Sequence, residues 1–137
     1  MQKTRDIMGM PITIETTDQT TEEVLDKAFA YFEYVDEKFS TYKETSEITK
    51  INKKLLEESV YSDDMKKVLD LCKKTKEETL GYFNIKTPDG MLDPSSLVKG
   101  WSIYNAAKIL KKEGLINFYV DAGGDVEVSG KYSNSKQ

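Results

Sequence analysis

The stretch NFYVDAGGDVEVS, residues 117–129, decides the fold of this chain. Its two ends, 117–121 and 126–129, have the apolar and β-branched residues of short strands, and the AGG between them predicts a tight turn. The stretch therefore predicts a β-hairpin. Gly123 and Gly124 also allow a ligand to approach the backbone closely, so the turn has a second interpretation as part of a binding site.

Four segments before this hairpin space their apolar side chains by three and four residues, which predicts amphipathic helices. They are residues 21–39, a short segment at 48–55, a segment that begins after Ser62 and ends near Gly81, and residues 103–114. Two further segments, 11–16 and 82–85, have the composition of short strands. Together these elements predict an α+β fold, in which amphipathic helices pack on a mixed, largely antiparallel sheet. We expect residues 1–137 to form a single domain.

The composition excludes several classes of function. The 137 residues include 20 basic and 24 acidic side chains, and the resulting net charge of −4 argues against a general nucleic-acid binder. The chain has no histidine, and Cys72 is its single cysteine. Histidine-dependent nucleophiles, histidine-ligated metals and multi-cysteine zinc sites are therefore excluded. Cys72 lies on the apolar stripe of its helix and is expected to be structural.

The apolar segments are too short to cross a bilayer, so we expect no membrane span. The N-terminal residues lack the continuous apolar core and the cleavage site of a signal peptide. The sequence as written predicts a cytoplasmic protein, and an exported protein whose leader has been removed is the alternative.

The segment DPSSLVKGW, residues 93–101, is the least ordinary part of the chain. A helix that starts here would offer unpaired backbone N–H groups, and its two serines together with Lys99 could hold a phosphate. The simpler interpretation is a serine-capped helix with a solvated lysine. Two other residues carry similar alternatives. Met8 either lines an apolar ligand site or belongs to an ordinary loop, and Tyr42 either stacks on a planar ring or covers the end of a helix.

Six short motifs occur in an order that resembles one family, the FAD:protein FMN transferases, or ApbE-like proteins. They are MGM at 8–10, FSTY at 39–42, SEI and IN between 46 and 52, GYFNI at 81–85, the segment 92–101, and DAGGDV at 121–126. Each motif alone is short, but their order and spacing cover nearly the whole chain. The chain is similar to a compact subgroup in which the segment between Phe83 and Asp93 is short.

The resemblance implies an activity and a set of ligands. The family cleaves FAD and transfers FMN through its phosphate to a Ser or Thr hydroxyl of an acceptor protein, with Mg²⁺. The implied partners are therefore a flavin nucleotide and an acceptor protein. The positions that match the family's nucleotide site are Met8, Tyr42, Phe83, Asn84, Ile85, Asp93, Lys99, Gly123, Gly124 and Asp125. Ser96 matches the position whose backbone carbonyl helps to hold the metal.

The chain also departs from the family pattern. It has Met10 where the family has Thr, Asn84 where Asp is common, and Ser96 where Gly or Ala is usual. Family members continue well beyond a point like Gly130, and the remaining metal ligands and the catalytic groups are expected in that C-terminal half. We therefore interpret the chain as an N-terminal portion that is weak or inactive as a catalyst.

Two alternatives follow from this interpretation. The chain is either a non-catalytic flavin- or adenine-nucleotide binding module, or half of a protein that needs a partner chain. A sheet without its C-terminal strands would also leave an open edge through which the chain could self-associate.

Overall fold

The computed structural model describes residues 1–132 and confirms the α+β fold. Its elements, in chain order, are β1 (Gln2–Ile7), β2 (Met10–Thr16), α1 (Glu22–Phe39), α2 (Glu47–Asn52), a single 3₁₀ turn (Glu58–Val60), α3 (Asp63–Glu78), α4 (Ser95–Lys112), β3 (Phe118–Ala122) and β4 (Asp125–Ser129). The strand β1 was not predicted from the sequence. None of the helices within residues 1–132 is both long and apolar enough to cross a membrane.

The chain divides into two compact units, and the division falls within α1 and α4. Unit 1 consists of Met1–Tyr34 and Lys99–Gln137, and it contains the sheet, the N-terminal part of α1 and most of α4. Unit 2 is Val35–Val98 and contains α2 and α3.

The sheet of unit 1 has the order β1-β2-β3-β4, and each described pair of neighbouring strands is antiparallel. Alternate residues of β2 and β3 face the helices. Ile12, Ile14, Phe118 and Val120 are each fully buried in one cluster with apolar residues of α1 and α4. Each large apolar side chain buried in this way contributes about 1.5–3 kcal/mol, so this face of the sheet holds the unit together.

The outer strands of the sheet do not follow the pattern of the inner two. On β4, Glu127 is paired with Val120 and therefore shares the helix-facing side, while Val126 is paired with Asp121 on the opposite side. Val126 is 47% exposed. The apolar residues of β4 therefore lie outside the core that β3 helps to form.

Unit 2 is held by capped helices and by a largely buried ion pair between Lys38 and Glu47. The Ser46 side chain accepts the backbone N–H of Thr49 in the first turn of α2. The Ser62 side chain accepts the backbone N–H of Met65 in the first turn of α3. Ser62 also donates its hydroxyl to the Glu47 carboxylate at 2.6 Å.

That carboxylate also pairs with the Lys38 ammonium, at 3.1 Å. Burial raises the pKa of Glu47, but the hydrogen bonds from Ser62 and Lys38 outweigh burial and lower the pKa overall.

The predicted strand at residues 82–85 is wrong. Leu80 and Gly81 both have positive φ at the end of α3, and the chain beyond them is irregular. The Asn84 side chain accepts the backbone N–H of Lys86, at 3.0 Å, which favours a turn over a strand ladder. Within the described part of this segment, the extended pairing is one bridge between Lys86 and Leu92.

Candidate functional site

Two hairpin turns lie at the same end of the sheet in unit 1. The turn between β1 and β2 is Met8-Gly9, with φ of 59° and 71°, and the turn between β3 and β4 is Gly123-Gly124, with φ of 57° and 99°. Pairs of positive φ are typical of two-residue hairpin turns. The Gly123 N–H donates to the Pro11 carbonyl at 3.1 Å, so the second turn is tied to the start of β2.

The side chain of Lys99 extends from α4 to the Gly123-Gly124 turn. Its Nζ lies 3.1 Å from the Asp125 carboxylate and 3.4 Å from the Gly123 carbonyl oxygen. A Cβ at Gly123 would lie 3.2 Å from this Nζ and 3.0 Å from the Sδ of Met10. Glycine is therefore favoured here by its positive φ, and a larger residue would require the end of the lysine or methionine side chain to shift.

This arrangement has the chemistry of an anion site. An ammonium group lies beside an exposed turn, and its carboxylate partner is itself on the surface. Lysine is a compact charge that suits phosphate groups, and glycine allows a close approach. The N–H of Gly124 is occupied because it donates to the Asp121 side chain at 3.0 Å. The Gly124 N–H is therefore not available to a ligand. Among the described residues of this turn and its contacts, the positive group that could bind an anion is the Lys99 ammonium.

Met8 lies in the neighbouring turn. It is half-buried and packs against the core cluster of unit 1, as Met10 does. The structure therefore brings five of the predicted site residues to one end of this unit. They are Met8, Lys99, Gly123, Gly124 and Asp125.

In unit 2, Asp93 determines where α4 begins. Its carboxylate accepts the backbone N–H of Ser95 at 3.1 Å and also the Ser95 hydroxyl, as an N-cap residue does. Its own N–H donates to the Ile85 carbonyl at 2.8 Å. Asp93 thus joins the irregular segment before it to the start of the helix, and its hydrogen bonds are those of a structural cap.

The other predicted residues of unit 2 lie on irregular chain. Phe83 and Ile85 are half-buried, and Asn84 is exposed. Tyr42 follows α1 and is 95% exposed. Its ring covers nothing, so the interpretation of Tyr42 as the cover of a helix end is wrong.

Asn52 is a residue whose role sequence reasoning missed. Its amide donates to the Leu92 carbonyl at 2.9 Å, and the Leu92 N–H donates to its side-chain oxygen at 2.8 Å. The side chain thereby pairs with both backbone groups of a residue forty positions away, next to Asp93. The sequence signals were the IN motif of the resemblance and the place of this asparagine at the end of a short helix, and neither indicates Leu92 as its partner.

The residues present do not by themselves fit a magnesium site. Mg²⁺ requires an octahedral set of oxygen ligands. The described residues contain no group of three or more Asp, Glu or Cys side chains that could hold a metal. Ser96 is the second residue of α4, so its carbonyl lies in the first turn of a helix.

Cys72 is buried on α3, and burial raises the pKa of its thiol to about 11. A thiol with this pKa is protonated at neutral pH and unreactive. The structural interpretation of Cys72 is confirmed.

Comparison with known proteins gives a family and a fold. The sequence model of the ApbE family matches residues 8–89 and 85–137. No curated protein sequence matches this chain at a significant level.

Solved structures match at low identity. The flavin transferase ApbE from Vibrio cholerae is 17% identical with a TM-score of 0.85, and the match covers 95% of this chain and 59% of that one. The Pseudomonas stutzeri flavinyl transferase ApbE, in its apo form, is 15% identical with a TM-score of 0.79, covering 95% and 60%. An ApbE protein from Thermotoga maritima is 16% identical with a TM-score of 0.79, covering 95% and 59%.

The present chain thus spans about 60% of the length of the solved proteins that it matches. The structural matches show the shared fold, and the family model covers more than half of the sequence. On these grounds the chain belongs to the ApbE family.

Proposed function

We propose that this chain supplies the flavin-nucleotide site of a Mg²⁺-dependent FAD:protein FMN transferase. In that reaction a Ser or Thr hydroxyl of the acceptor protein forms a bond to the FMN phosphorus, the pyrophosphate bond of FAD breaks, and AMP leaves. Membership of the ApbE family and the similarity to two solved flavin transferases support the reaction class.

The observation that carries the proposal is the position of Lys99. Its ammonium lies beside a turn of two exposed glycines, where a pyrophosphate can approach the backbone without meeting a Cβ. The ammonium would offset the charge of the pyrophosphate, and hydrogen bonds to charged groups are about twice as strong as neutral ones. Lys99 would therefore bind and orient the phosphates.

Unit 2, considered by itself, carries side chains that suit a planar ring. Tyr42 presents a free ring face, which can stack on a planar heterocycle. Phe83 and Ile85 present partly buried apolar surface, and Asn84 an exposed amide, in the segment that Asn52 and Asp93 hold. The family resemblance implies flavin or adenine as the planar ring that these side chains of unit 2 would contact.

We further propose that the chain alone is a weak or inactive catalyst. The described residues do not complete a metal site, and Ser96 would contribute one carbonyl. The other ligands and the group that activates the acceptor hydroxyl would have to come from residues outside this sequence.

The experiment is a titration of the purified chain with FAD and, separately, with riboflavin, followed by assay of AMP release with and without Mg²⁺. We expect FAD to bind more tightly than riboflavin, because only FAD carries the pyrophosphate that Lys99 meets. Equal affinity for the two ligands, or no FAD binding, would contradict the proposal.

A second candidate is a flavin- or adenine-nucleotide binding module without catalysis, or a half-protein that works with a partner chain. This second candidate is favoured because residues 1–132 contain no group of three or more Asp, Glu or Cys side chains that could hold a metal. The two candidates differ in AMP release, since a binding module holds FAD intact with Mg²⁺ present. Addition of the missing partner would restore release if the chain is a half-protein.

We also propose that the chain self-associates through the edge of its sheet. Among the described residues, β4 pairs with β3 on one side, and Val126 is exposed on it. Unpaired strand edges are templates for pairing with another strand. Light scattering coupled to size-exclusion chromatography tests this, and a monomer at all concentrations would contradict it.

A further inference from the structure

In this structure the Lys99 ammonium is paired with the carboxylate of Asp125. Its proposed ligand, a phosphate, is also an anion, so a negative group already occupies the place of the ligand. The Asp125 side chain is 66% exposed, and that of Lys99 is 27% exposed. An ion pair in which one side chain is mostly exposed contributes little to the stability of the fold, because water screens the attraction and both side chains lose conformational entropy. The pair is therefore poorly explained as a structural tie.

The contacts of Lys99 also explain why Asp125 can be replaced. Within the described residues, the other polar contact of its ammonium is the 3.4 Å approach to the Gly123 carbonyl, which carries no net charge. An ammonium has three donors, and only a negative group satisfies its charge. When Asp125 turns away into solvent, another anion can take the same place.

The backbone keeps Asp125 beside the ammonium. The turn is closed by the pairing of Ala122 with Asp125 and by the hydrogen bond from Gly124 to Asp121. Asp125 is therefore fixed by its backbone as the first residue of β4, while its side chain is 66% exposed, with solvent into which it can turn. The exchange of one anion for another requires a side-chain rotation and no change in the sheet.

We propose that Asp125 is the counter-ion that the nucleotide phosphate displaces from Lys99. This inference rests on the proposed function. It gives Asp125 a role that weakens nucleotide binding, whereas a direct contact would strengthen it. Asp125 is a positioning residue. It holds the Lys99 ammonium at the turn while the site is empty, and it competes with the phosphate for that ammonium. The competition lowers affinity for every phosphate-bearing ligand and leaves uncharged flavins unaffected.

The test compares the whole chain with its D125N and E113Q variants. Glu113 pairs with Lys27, so E113Q removes the same charge from a second exposed ion pair in unit 1. Each protein is titrated with FAD, riboflavin and inorganic pyrophosphate at low and at high salt. We expect D125N to bind FAD and pyrophosphate about two- to fivefold more tightly, the size expected of an exposed ion pair. Riboflavin affinity should not change, and high salt should remove the gain.

Two results would overturn the inference. Weaker or unchanged binding of FAD and pyrophosphate by D125N would make Asp125 a direct contact or a bystander, and an equal gain in E113Q would reduce the effect to net charge. Failure of the proposed function has a different signature. In that case FAD binds to none of the proteins, while pyrophosphate still binds more tightly to D125N. If pyrophosphate does not bind to D125N at all, the inference itself fails.

Discussion

Asp18 and Lys99 lie at opposite ends of the β2–β3 pair, and the structure satisfies their charges in different ways. The Asp18 carboxylate accepts the backbone N–H of Ile116 at 2.6 Å and that of Asn117 at 2.9 Å. It also accepts the Asn117 side-chain amide at 2.9 Å. These hydrogen bonds, first that of the Asn117 backbone, then that of the Ile116 backbone and then that of the Asn117 amide, lower the pKa of Asp18.

Lys99 has no comparable set of partners among the described residues. It has one exposed carboxylate and one neutral carbonyl at a longer distance. The difference between the partners of Asp18 and those of Lys99 distinguishes a structural charge from one that a ligand can use. A charge that backbone groups satisfy is part of the fold, and a charge that an exposed side chain satisfies is available to a ligand. The predictions below test this distinction.

The largest effect is expected from Lys99→Ala on FAD binding. Loss of a hydrogen bond to a charged group costs about 1.5–3 kcal/mol, which weakens binding by about tenfold to 150-fold. Lys27→Ala is the matched control, because Lys27 also makes one exposed ion pair in unit 1. Fluorescence titration of FAD measures both. Equal affinities for the two variants would show that Lys99 is only a solvated lysine.

The turn itself provides the second prediction. Gly123→Ala and Gly124→Ala both place a side chain at positive φ, a strain of about 1–3 kcal/mol that is larger at Gly124, because its φ of 99° lies outside the left-handed region. Only at Gly123 does the new Cβ meet Lys99 and Met10. We expect Gly124→Ala to lose more stability in thermal melts, and Gly123→Ala alone to lose FAD affinity, by about tenfold or less, since a flexible ammonium can shift. A parallel loss in both variants would mean that the turn conformation, and not the lysine, determines binding.

Asp18→Ala should have the opposite pattern. It leaves the N–H groups of Ile116 and Asn117 without their acceptor, and we expect the melting temperature to fall on the order of 5 °C. FAD affinity should not change, because Asp18 lies at the other end of the strands. Circular dichroism melts and FAD titration of the same sample test both parts, and a stable variant with weak FAD binding would reverse our assignment.

The pH dependence of Asp18 is the smallest effect. Because its pKa is lowered in the folded state, its contribution to stability is present above the ordinary pKa of about 3.9 and is lost as the pH falls through the lower folded value. The stability gap between the wild type and Asp18→Asn should therefore be constant near neutral pH and shrink below about pH 4. A gap that does not depend on pH would exclude a role for the charge.

The sequence was sufficient for those elements whose apolar pattern matches their burial. The helix predicted at residues 21–39 is α1, Glu22–Phe39, and the hairpin is β3 and β4 around the predicted turn. In α1 and β3 the apolar spacing reflects one buried face, which is the property that periodicity detects, whereas β4 is identified by the glycine turn before it, because its Val126 is exposed.

The strand β1 could not be predicted because charged side chains occupy its helix-facing positions. Arg5 is paired with the buried Ile12, but its guanidinium bonds to Asp26 at 2.9 Å and lies 5.0 Å from the centre of the Phe29 ring. The alkyl part of such a side chain covers apolar surface while its charge stays paired. A sequence pattern that classes each residue as apolar or polar counts Arg5 as polar, and it misses the apolar surface that the alkyl part of this side chain covers.

The candidate site was predictable in part for a similar reason. Gly123, Gly124 and Lys99 belong to short motifs, and the fold brings them together, while their contacts with a nucleotide stay a prediction. The pairing of Asn52 with Leu92 depends on two residues forty positions apart, which no local pattern contains. The segment at 82–85 has strand-forming residues, but positive φ at Leu80 and Gly81 turns the chain before a strand can begin.

The most direct test of the central claim is the FAD affinity of Lys99→Ala beside that of Asp18→Ala, measured at a temperature where both variants are folded. We predict that Lys99→Ala loses about tenfold or more in affinity while Asp18→Ala binds as the wild type does. Equal losses in the two variants, or a loss confined to Asp18→Ala, would contradict the assignment of Lys99 as the charge that is available to the nucleotide.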